Sequence, residues 1–294
     1  MKKILSIFQL IISFLLLIYL FKKVSIYEIK ELIFDWSNIF YYIGVSILLF
    51  LVYLLDITKN ILIYKYSNQK LKKTSIINLL LITYVLKEFI NNFSIIARGI
   101  LNNYHSIKLK RNIFIIFVDK FSALIPKTII LIIGFCLIYE LKFIFFIYLL
   151  LIIFSIAFLL IMIDKFKNII LKIIDLIKND YKRFIYILFI SSLIQSLIVL
   201  GYVLIAYSTN FDFNLGLFIF IFPLAMFIQV LPIAISQLGF REYIFMNIFI
   251  FFGMSGNQGV AISLIFAMLS LTILIIMYLL FSIFMYFSKH TYEK

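Results

Sequence analysis

Arginine and glutamate stand next to each other in a stretch that is otherwise apolar. Arg241 and Glu242 lie in the block 215–252, which is rich in Phe, Ile and Leu. Ionisable side chains at membrane depth are costly, and by default they indicate a functional site. The planar guanidinium of arginine donates two parallel hydrogen bonds to a phosphate group. This pair therefore predicts a site for the phosphate of an anionic lipid headgroup.

The backbone before this pair is interrupted at Pro232 and Gly239. Proline removes an N–H donor, and glycine loosens the backbone. Backbone freed from helical hydrogen bonds survives at membrane depth only where it is buried in protein or lines a wet cavity. A helix that restarts there would also aim its N-terminal N–H groups at an anion. We predict a helix break over residues 232–239 beside the charged pair. The alternative is that the pair only marks where a helix leaves the bilayer.

A second interrupted block covers residues 76–112 and also carries adjacent opposite charges. Interrupted segments in corresponding halves of a chain are typical of an inverted repeat with a binding site between the halves. We therefore assign the polar residues of both blocks, and of the span between them, as candidate headgroup-binding residues. These are Lys87, Glu88, Asn92, Arg98, Asp119, Lys120, Arg241 and Glu242.

Mutual neutralisation of these charges is the alternative to ligand binding. Neighbouring residues do not face each other on a helix, so we expect Arg241 and Glu242 to find separate partners in other segments. Asp56 lies at the end of an apolar run, and we expect its carboxylate to extend to the membrane face. We do not include Asp56 among the candidate residues.

The composition limits the class of protein. Of 294 residues, 65% are hydrophobic, and the mean hydropathy is +1.16. These values indicate an all-α, polytopic integral membrane helix bundle in one domain, residues 1–294. The net charge of +14 fits basic cytoplasmic loops and anionic lipid better than nucleic acid. One cysteine excludes a disulfide framework, and two distant histidines suggest no metal. No cofactor is expected.

The apolar runs predict eight membrane segments. Nineteen of the 27 lysines and arginines lie on one side if each interrupted block enters and leaves on one face. Both termini are then cytoplasmic, in the cytoplasmic (inner) membrane. The basic stretch 164–183 has apolar residues at helical spacing and predicts a helix on the membrane surface. The segments are residues 4–21, 39–57, 76–97 (broken), 113–139, 143–163, 184–208, 215–252 (broken) and 258–287.

Three stretches resemble the flippase-like family that includes the membrane half of lysylphosphatidylglycerol synthases. Leu231-Pro232, Ser236 and Leu238-Gly239-Phe240-Arg241-Glu242 are similar to its "L-P … L-G-x-R-E" signature, and Gln237 stands where the family has glycine. Val118-Asp119-Lys120-Phe121 resembles its "E-R-L" on an earlier helix. The family's early motif is an Asn followed, a few residues later, by "P-x-R-x-G-(D/E)-x-x-R". Asn92 and Gly99 correspond to its Asn and Gly, whereas Ile95 and Ile100 replace the proline and the acid.

The resemblance implies a membrane protein that translocates an anionic phospholipid or a polyprenyl-phosphate-linked sugar. In the large synthases a soluble aminoacyl-transferase domain follows the membrane part, and we expect no lysyl transfer from this chain. The alternative is a membrane glycosyltransferase, or its partner subunit, in cell-surface glycan assembly. A structural scaffold with neutralised ion pairs is the third reading. No catalytic residue is assigned, and no nucleotide-binding motif is present in the sequence.

Overall fold

The computed structural model describes residues 18–19, 22–33, 36–66, 72–89, 109–138, 180–209, 215–228 and 239–291. In these ranges the chain forms eight α-helices and no strand, so the expected all-α fold is confirmed for this part of the chain. A 3-10 turn, Trp36–Asn38, joins the first two helices. The helices are α1 (Ile26–Ile33), α2 (Ile39–Tyr66), α3 (Lys73–Phe89), α4 (Leu109–Ile138), α5 (Tyr181–Ser208), α6 (Leu215–Ile228), α7 (Phe240–Phe251) and α8 (Gly256–Thr291).

Four of the described helices are long and apolar enough to cross a membrane. They are α2, α4, α5 and α8, and their apolar parts have 27, 25, 28 and 31 residues. A hydrocarbon core of about 30 Å needs about 20 helical residues. The chain is therefore a polytopic helical membrane protein, as its composition predicts.

Several sequence-based predictions fall outside the described residues. These are almost all of the first predicted segment 4–21, the whole segment 143–163 and most of the surface helix 164–183. Helices α6 and α7 occupy the two ends of the predicted broken block 215–252, and Pro232 between them is not described. The inverted repeat stays a prediction.

Helices α6 and α7 form an antiparallel hairpin. The ring of Phe218 lies 6.1 Å from that of Phe249, and the ring of Phe222 lies 6.2 Å from that of Phe245. With 14 and 12 residues, the two helices are only about 21 Å and 18 Å long. The described part of neither helix reaches across a hydrocarbon core of about 30 Å. We call α6 and α7, over these ranges, the half-helices, and the start of α6 lies at the same end of the bundle as the end of α7.

Helix α8 turns back along α7 and continues beyond it. A Cβ atom on Gly259 would lie 2.8 Å from the Phe245 carbonyl oxygen, so glycine permits this close approach. Four residues later, Ser263 contacts Glu242 at the beginning of α7. The hairpin therefore occupies the half of the bundle where α8 begins, which we call the Gly256 end.

Helix α2 runs in the same direction as α8. At the Gly256 end, the Asn257 side chain accepts a hydrogen bond from the Ser25 backbone N–H, just before α1. The Tyr42 hydroxyl of α2 donates to the Leu32 carbonyl of α1. Farther along, the hydroxyls of Tyr53 and Ser270 are hydrogen-bonded. Both residues are 14 positions from the start of their helices, so they lie about 21 Å from the Gly256 end.

Helices α3 and α4 both run toward the Gly256 end. A connection of six residues joins α2 to α3, and Tyr84 of α3 reaches Asp56 of α2. In α4, Asp119 contacts Lys59 of α2, whereas Phe135 packs on Phe220 near the Gly256 end. Helices α3 and α4 are therefore parallel to each other and antiparallel to α2.

Stacked aromatic rings attach the hairpin to the long helices. The Tyr202 ring of α5 lies 5.0 Å from Phe222, 5.3 Å from Phe245 and 3.9 Å from Phe266. Stacked pairs of this kind contribute about 0.5–1.5 kcal/mol each beyond the buried area. The four rings come from α5, α6, α7 and α8, so they hold the half-helices in place against the long helices.

Gly134 is required for the close contact between α4 and α6. A Cβ atom there would lie 2.5 Å from the Phe220 backbone nitrogen, so the helix backbones would have to separate. We expect Gly134→Ala to cost about 1–3 kcal/mol of stability. Gly44→Ala is the control, because its nearest neighbour, Leu204 Cδ1, lies at 3.7 Å. Thermal unfolding in detergent should lower the melting temperature of the first variant only, and equal melting temperatures would contradict the prediction.

Candidate functional site

Arg241 and Glu242 form a buried cluster at the beginning of α7. The Nε and Nη2 atoms of Arg241 each donate to Glu242 Oε1 at 3.1 Å. The Ser263 hydroxyl of α8 donates to the same oxygen at 3.2 Å. Only 4% of Arg241 and 3% of Glu242 is exposed. We call these three residues, with Gly239, the arginine cluster.

Gly239 sets the first turn of α7. Its φ of +83° lies in the left-handed region, which glycine adopts without the steric cost of a Cβ atom. Its backbone N–H donates to Glu242 Oε2 at 2.6 Å. Glu242 thus sits three residues after the N-cap, where its carboxylate accepts a hydrogen bond from an otherwise unpaired backbone N–H. The positive end of the helix dipole also stabilises its negative charge.

The expectation that Arg241 and Glu242 seek separate partners is wrong for the described contacts. The spacing rule applies to helix interiors, where neighbouring side chains diverge by about 100°. At the first turn, Glu242 folds back toward Gly239 instead of pointing outward. Its carboxylate then lies within reach of the Arg241 side chain, which is long enough to follow it.

A second buried cluster joins α2, α3 and α4. Lys59 Nζ lies 2.6 Å from Asp56 Oδ1 and 2.8 Å from Asp119 Oδ1. The Tyr84 hydroxyl donates to Asp56 Oδ2, and Asn60 Nδ2 donates to the Asp56 carbonyl at 2.9 Å. The Lys59 side chain is 4% exposed. We call these five residues the lysine cluster. Its cation contacts two carboxylates at once.

Asp56 and Lys59 are functional candidates that sequence reasoning missed. The expectation that Asp56 extends to the membrane face is wrong, because its carboxylate pairs with Lys59 inside the bundle. The signal in the sequence was the spacing of Asp56, Lys59 and Asn60. Residues three and four positions apart lie on one helix face, so a polar stripe was visible inside an apolar helix.

Residues with hydroxyl groups lie between the two clusters. Tyr53 hydrogen-bonds to Ser270 of α8, and its ring lies 5.7 Å from that of Tyr84, which belongs to the lysine cluster. Ser270 and Ser263 are seven residues apart, which puts them on the same face of α8 about 10.5 Å apart along the axis. One face of α8 therefore carries a polar contact to the arginine cluster and a second one to Tyr53, which packs against the lysine cluster.

The candidate residues divide into three groups. The first group lies in the two clusters: Asp119 belongs to the lysine cluster, and Arg241, Glu242 and Gly239 belong to the arginine cluster. The second group is Lys120, which is exposed and forms no part of either cluster as defined. The third group lies outside the described residues or has undescribed side chains, and it comprises Lys87, Glu88, Asn92, Arg98 and Pro232.

A family comparison gives this arrangement its context. The family model described as "Lysylphosphatidylglycerol synthase TM region" matches residues 6–277. The chain belongs to this family. Both clusters lie inside the matched range, as do helices α6 and α7. The family name associates the protein with lipid at a general level. Searches of curated proteins and of solved structures gave no match.

Metal ligation has no support in the described ranges of this family member. Within them, no three His, Cys, Asp or Glu side chains come together in a way that could hold a metal ion. The carboxylates of both clusters are instead paired with Lys59 and Arg241. Cation–carboxylate pairing is thus the chemistry that the described part of the bundle offers.

Proposed function

We propose that this protein binds an anionic lipid, either a phospholipid or a lipid-linked sugar, and translocates it across the cytoplasmic membrane. The observation that carries the proposal is the position of Arg241. It is buried in the first turn of α7, a helix of 12 residues that begins directly after Gly239. Membership of a lipid-related membrane family supports the choice of ligand class.

The hydrogen bonds that Glu242 accepts indicate which chemical group a ligand would present to Arg241. Its carboxylate accepts hydrogen bonds from the Arg241 guanidinium, the Gly239 N–H and the Ser263 hydroxyl. Phosphate presents the same kind of anionic oxygen to the same kinds of donor. A lipid phosphate would share or replace Glu242 as the partner of Arg241, and Glu242 would hold the guanidinium in place when no lipid is bound.

The two clusters lie at different depths, which suits a ligand that moves. Ser263, which marks the arginine cluster, is seven residues from the start of α8, or about 10.5 Å. Asp56 is 17 residues from the start of α2, or about 25 Å. A headgroup passing through the bundle would meet charged partners in both halves. Each would offset part of the cost of removing a phosphate from water.

An enzyme acting on polyprenyl-phosphate-linked sugars remains the alternative function. A membrane glycosyltransferase would need a carboxylate available to the substrate. The carboxylates of Asp119 and Glu242, two candidate headgroup-binding residues, are instead held in ion pairs with Lys59 and Arg241. We therefore favour translocation over group transfer.

Arg241→Ala should strongly weaken binding of the proposed ligand. We expect native mass spectrometry of the detergent-purified parental protein to detect a phosphate-bearing lipid. Charge-assisted hydrogen bonds of about 1.5–3 kcal/mol predict a loss of roughly ten-fold or more in the variant. Arg183→Ala is the matched control, since Arg183 is exposed and pairs with Asp180 at 3.2 Å. It should retain the lipid.

Arg241→Lys separates binding from folding in case the alanine variant is unstable. It keeps the charge beside Glu242 but loses the planar fork that holds a phosphate in two places. A folded Arg241→Lys or Arg241→Ala protein that keeps the lipid at the parental level would contradict the proposal. A parental protein with no phosphate-bearing lipid would also contradict it.

A further inference from the structure

An open groove of about 350 Å³ lies on the surface of the bundle where α4, α6 and α7 meet. Its volume falls at the low end of the range for small-molecule sites, which is about 300–1,000 Å³. Its walls are almost entirely apolar and mostly aromatic. The residues that matter here are Phe135, Phe220, Leu224, Asn247, Phe251 and Phe252.

The walls of the groove are held by edge-on and tilted ring contacts. Phe220 lies 5.8 Å from Phe135 of α4 and 5.9 Å from Phe252 at the end of α7. Phe251 packs edge-on against Phe252 at 5.2 Å. The ring of Phe220 thus links α4, α6 and α7. The groove is therefore a feature of the packed bundle and not of one mobile side chain.

Asn247 is the one polar residue among the described residues that line the groove. Its side chain is exposed, and one of its two amide N–H donors is directed to the Tyr243 carbonyl at 2.7 Å. The amide of asparagine has a second N–H donor and an acceptor oxygen. Asn247 lies four residues before the end of α7, about 6 Å along the axis.

The Gly256 end of the hairpin is where a bilayer interface would lie. The turn after α7 contains Gly253, with a φ of +74°, and Gly253 and Ser255 are exposed. With the interface at that turn, a polar side chain 6 Å below it would be level with the ester groups that join lipid headgroups to their chains. The apolar part of the groove, toward Leu224, is then level with the acyl chains.

We propose that this groove binds one acyl chain of a membrane glycerolipid, whose ester carbonyl accepts a hydrogen bond from Asn247 Nδ2. The lipid bilayer around the bundle favours an acyl chain as the occupant, because an open apolar groove on a membrane-spanning bundle faces hydrocarbon. The donor on Asn247 distinguishes a built site from ordinary contact with bilayer lipid. The inference does not depend on translocation, since a chain can bind here whether or not the headgroup moves.

Tryptophan quenching by brominated lipid tests the site. The chain has a single tryptophan, so Trp36→Phe gives a silent background. Phe251→Trp, at a position 81% exposed in the groove, is the reporter. Phe189→Trp on α5, 58% exposed, is the matched lipid-facing control. Both are reconstituted in vesicles of ester-linked phosphatidylglycerol containing a fixed fraction of its brominated-acyl form.

Competition between ester-linked and ether-linked phosphatidylglycerol gives the result. At Phe251→Trp, we expect the ester lipid to displace the brominated lipid about five-fold better than the ether lipid, as one hydrogen bond would give. At Phe189→Trp, the two competitors should be equal. Adding Asn247→Leu to the groove reporter should remove the preference.

Equal competition at both reporters would overturn the proposal, and so would a preference that survives Asn247→Leu. The parental comparison of two lipids does not require the Asn247 variant to fold. The loss of phosphate-bearing lipid in Arg241→Ala is measured separately, so failure of one proposal does not imply failure of the other.

Discussion

Lys59→Met is expected to destabilise the protein more than any other single change considered. The substitution leaves Asp56 and Asp119 facing each other without the ammonium group that both contact, at 2.6 Å and 2.8 Å. Removing one partner of a buried ion pair costs about 3–5 kcal/mol, because the remaining charge stays buried. Thermal unfolding of the detergent-purified variant should show a large fall in melting temperature together with lower yield.

Lys65→Met is the matched control for this experiment. Lys65 is on the same helix, in its last turn, and it is exposed. A surface lysine contributes little to stability, so this variant should melt with the parental protein. Neutralising the carboxylates in the same chain, as Lys59→Met with Asp56→Asn and Asp119→Asn, should recover part of the loss. Equal melting of Lys59→Met and Lys65→Met would show that the lysine cluster does not stabilise the fold.

Glu242→Gln should have the second-largest effect on stability. The amide oxygen can still accept from the Gly239 N–H, but the charge that faces Arg241 is removed. We expect a loss of about 3 kcal/mol, at the low end of the range for breaking a buried ion pair. The measurement is the free energy of unfolding in detergent, or the melting temperature where unfolding is irreversible.

Ser263→Ala provides a graded control at the same oxygen. It removes one neutral donor to Glu242 Oε1 and leaves the ion pair in place. A typical buried hydrogen bond contributes about 1 kcal/mol, so its effect should be about one third of that of Glu242→Gln. If the two variants lose the same stability, the charge of Glu242 is not what holds the first turn of α7.

These variants also separate the transport and scaffold hypotheses. A scaffold requires the ion pairs for folding only, so Arg241→Lys and Glu242→Gln would change stability while any bound lipid is retained. A translocator requires the guanidinium for the ligand, so Arg241→Lys would lose lipid even where the protein remains folded. A folded Arg241→Lys protein that retains the lipid supports the scaffold, and one that loses the lipid supports the translocator.

The membrane fold could be predicted from local patterns. Runs of apolar residues long enough to cross a bilayer predicted four segments that overlap α2, α4, α5 and α8. The half-helices α6 and α7 lie within one apolar block, and Gly239 begins the second of them at a left-handed backbone position. Hydropathy and backbone conformation are properties of a short stretch of chain, so they can be read without knowing the packing.

The charged partners could not be assigned in this way. Arg241 and Glu242 were recognised as unusual from their types alone, yet their direct contact depends on the folded first turn of α7. Lys59 was passed over because a lysine near the end of an apolar run looks like an interfacial residue. Only packing of α4 against α2 brings Asp119 to it across sixty residues of sequence.

The sequence by itself therefore determined the class of the protein, the four long apolar spans and the glycine that precedes α7. Tertiary structure decided which charges neutralise each other, which face of α8 carries Ser263 and Ser270, and where a groove opens beside the hairpin. The reason is the distance along the chain over which each property is determined. Hydrophobicity and backbone conformation act within a helical turn or a span, whereas the energy of a buried charge depends on groups that only the assembled bundle brings within about 4 Å.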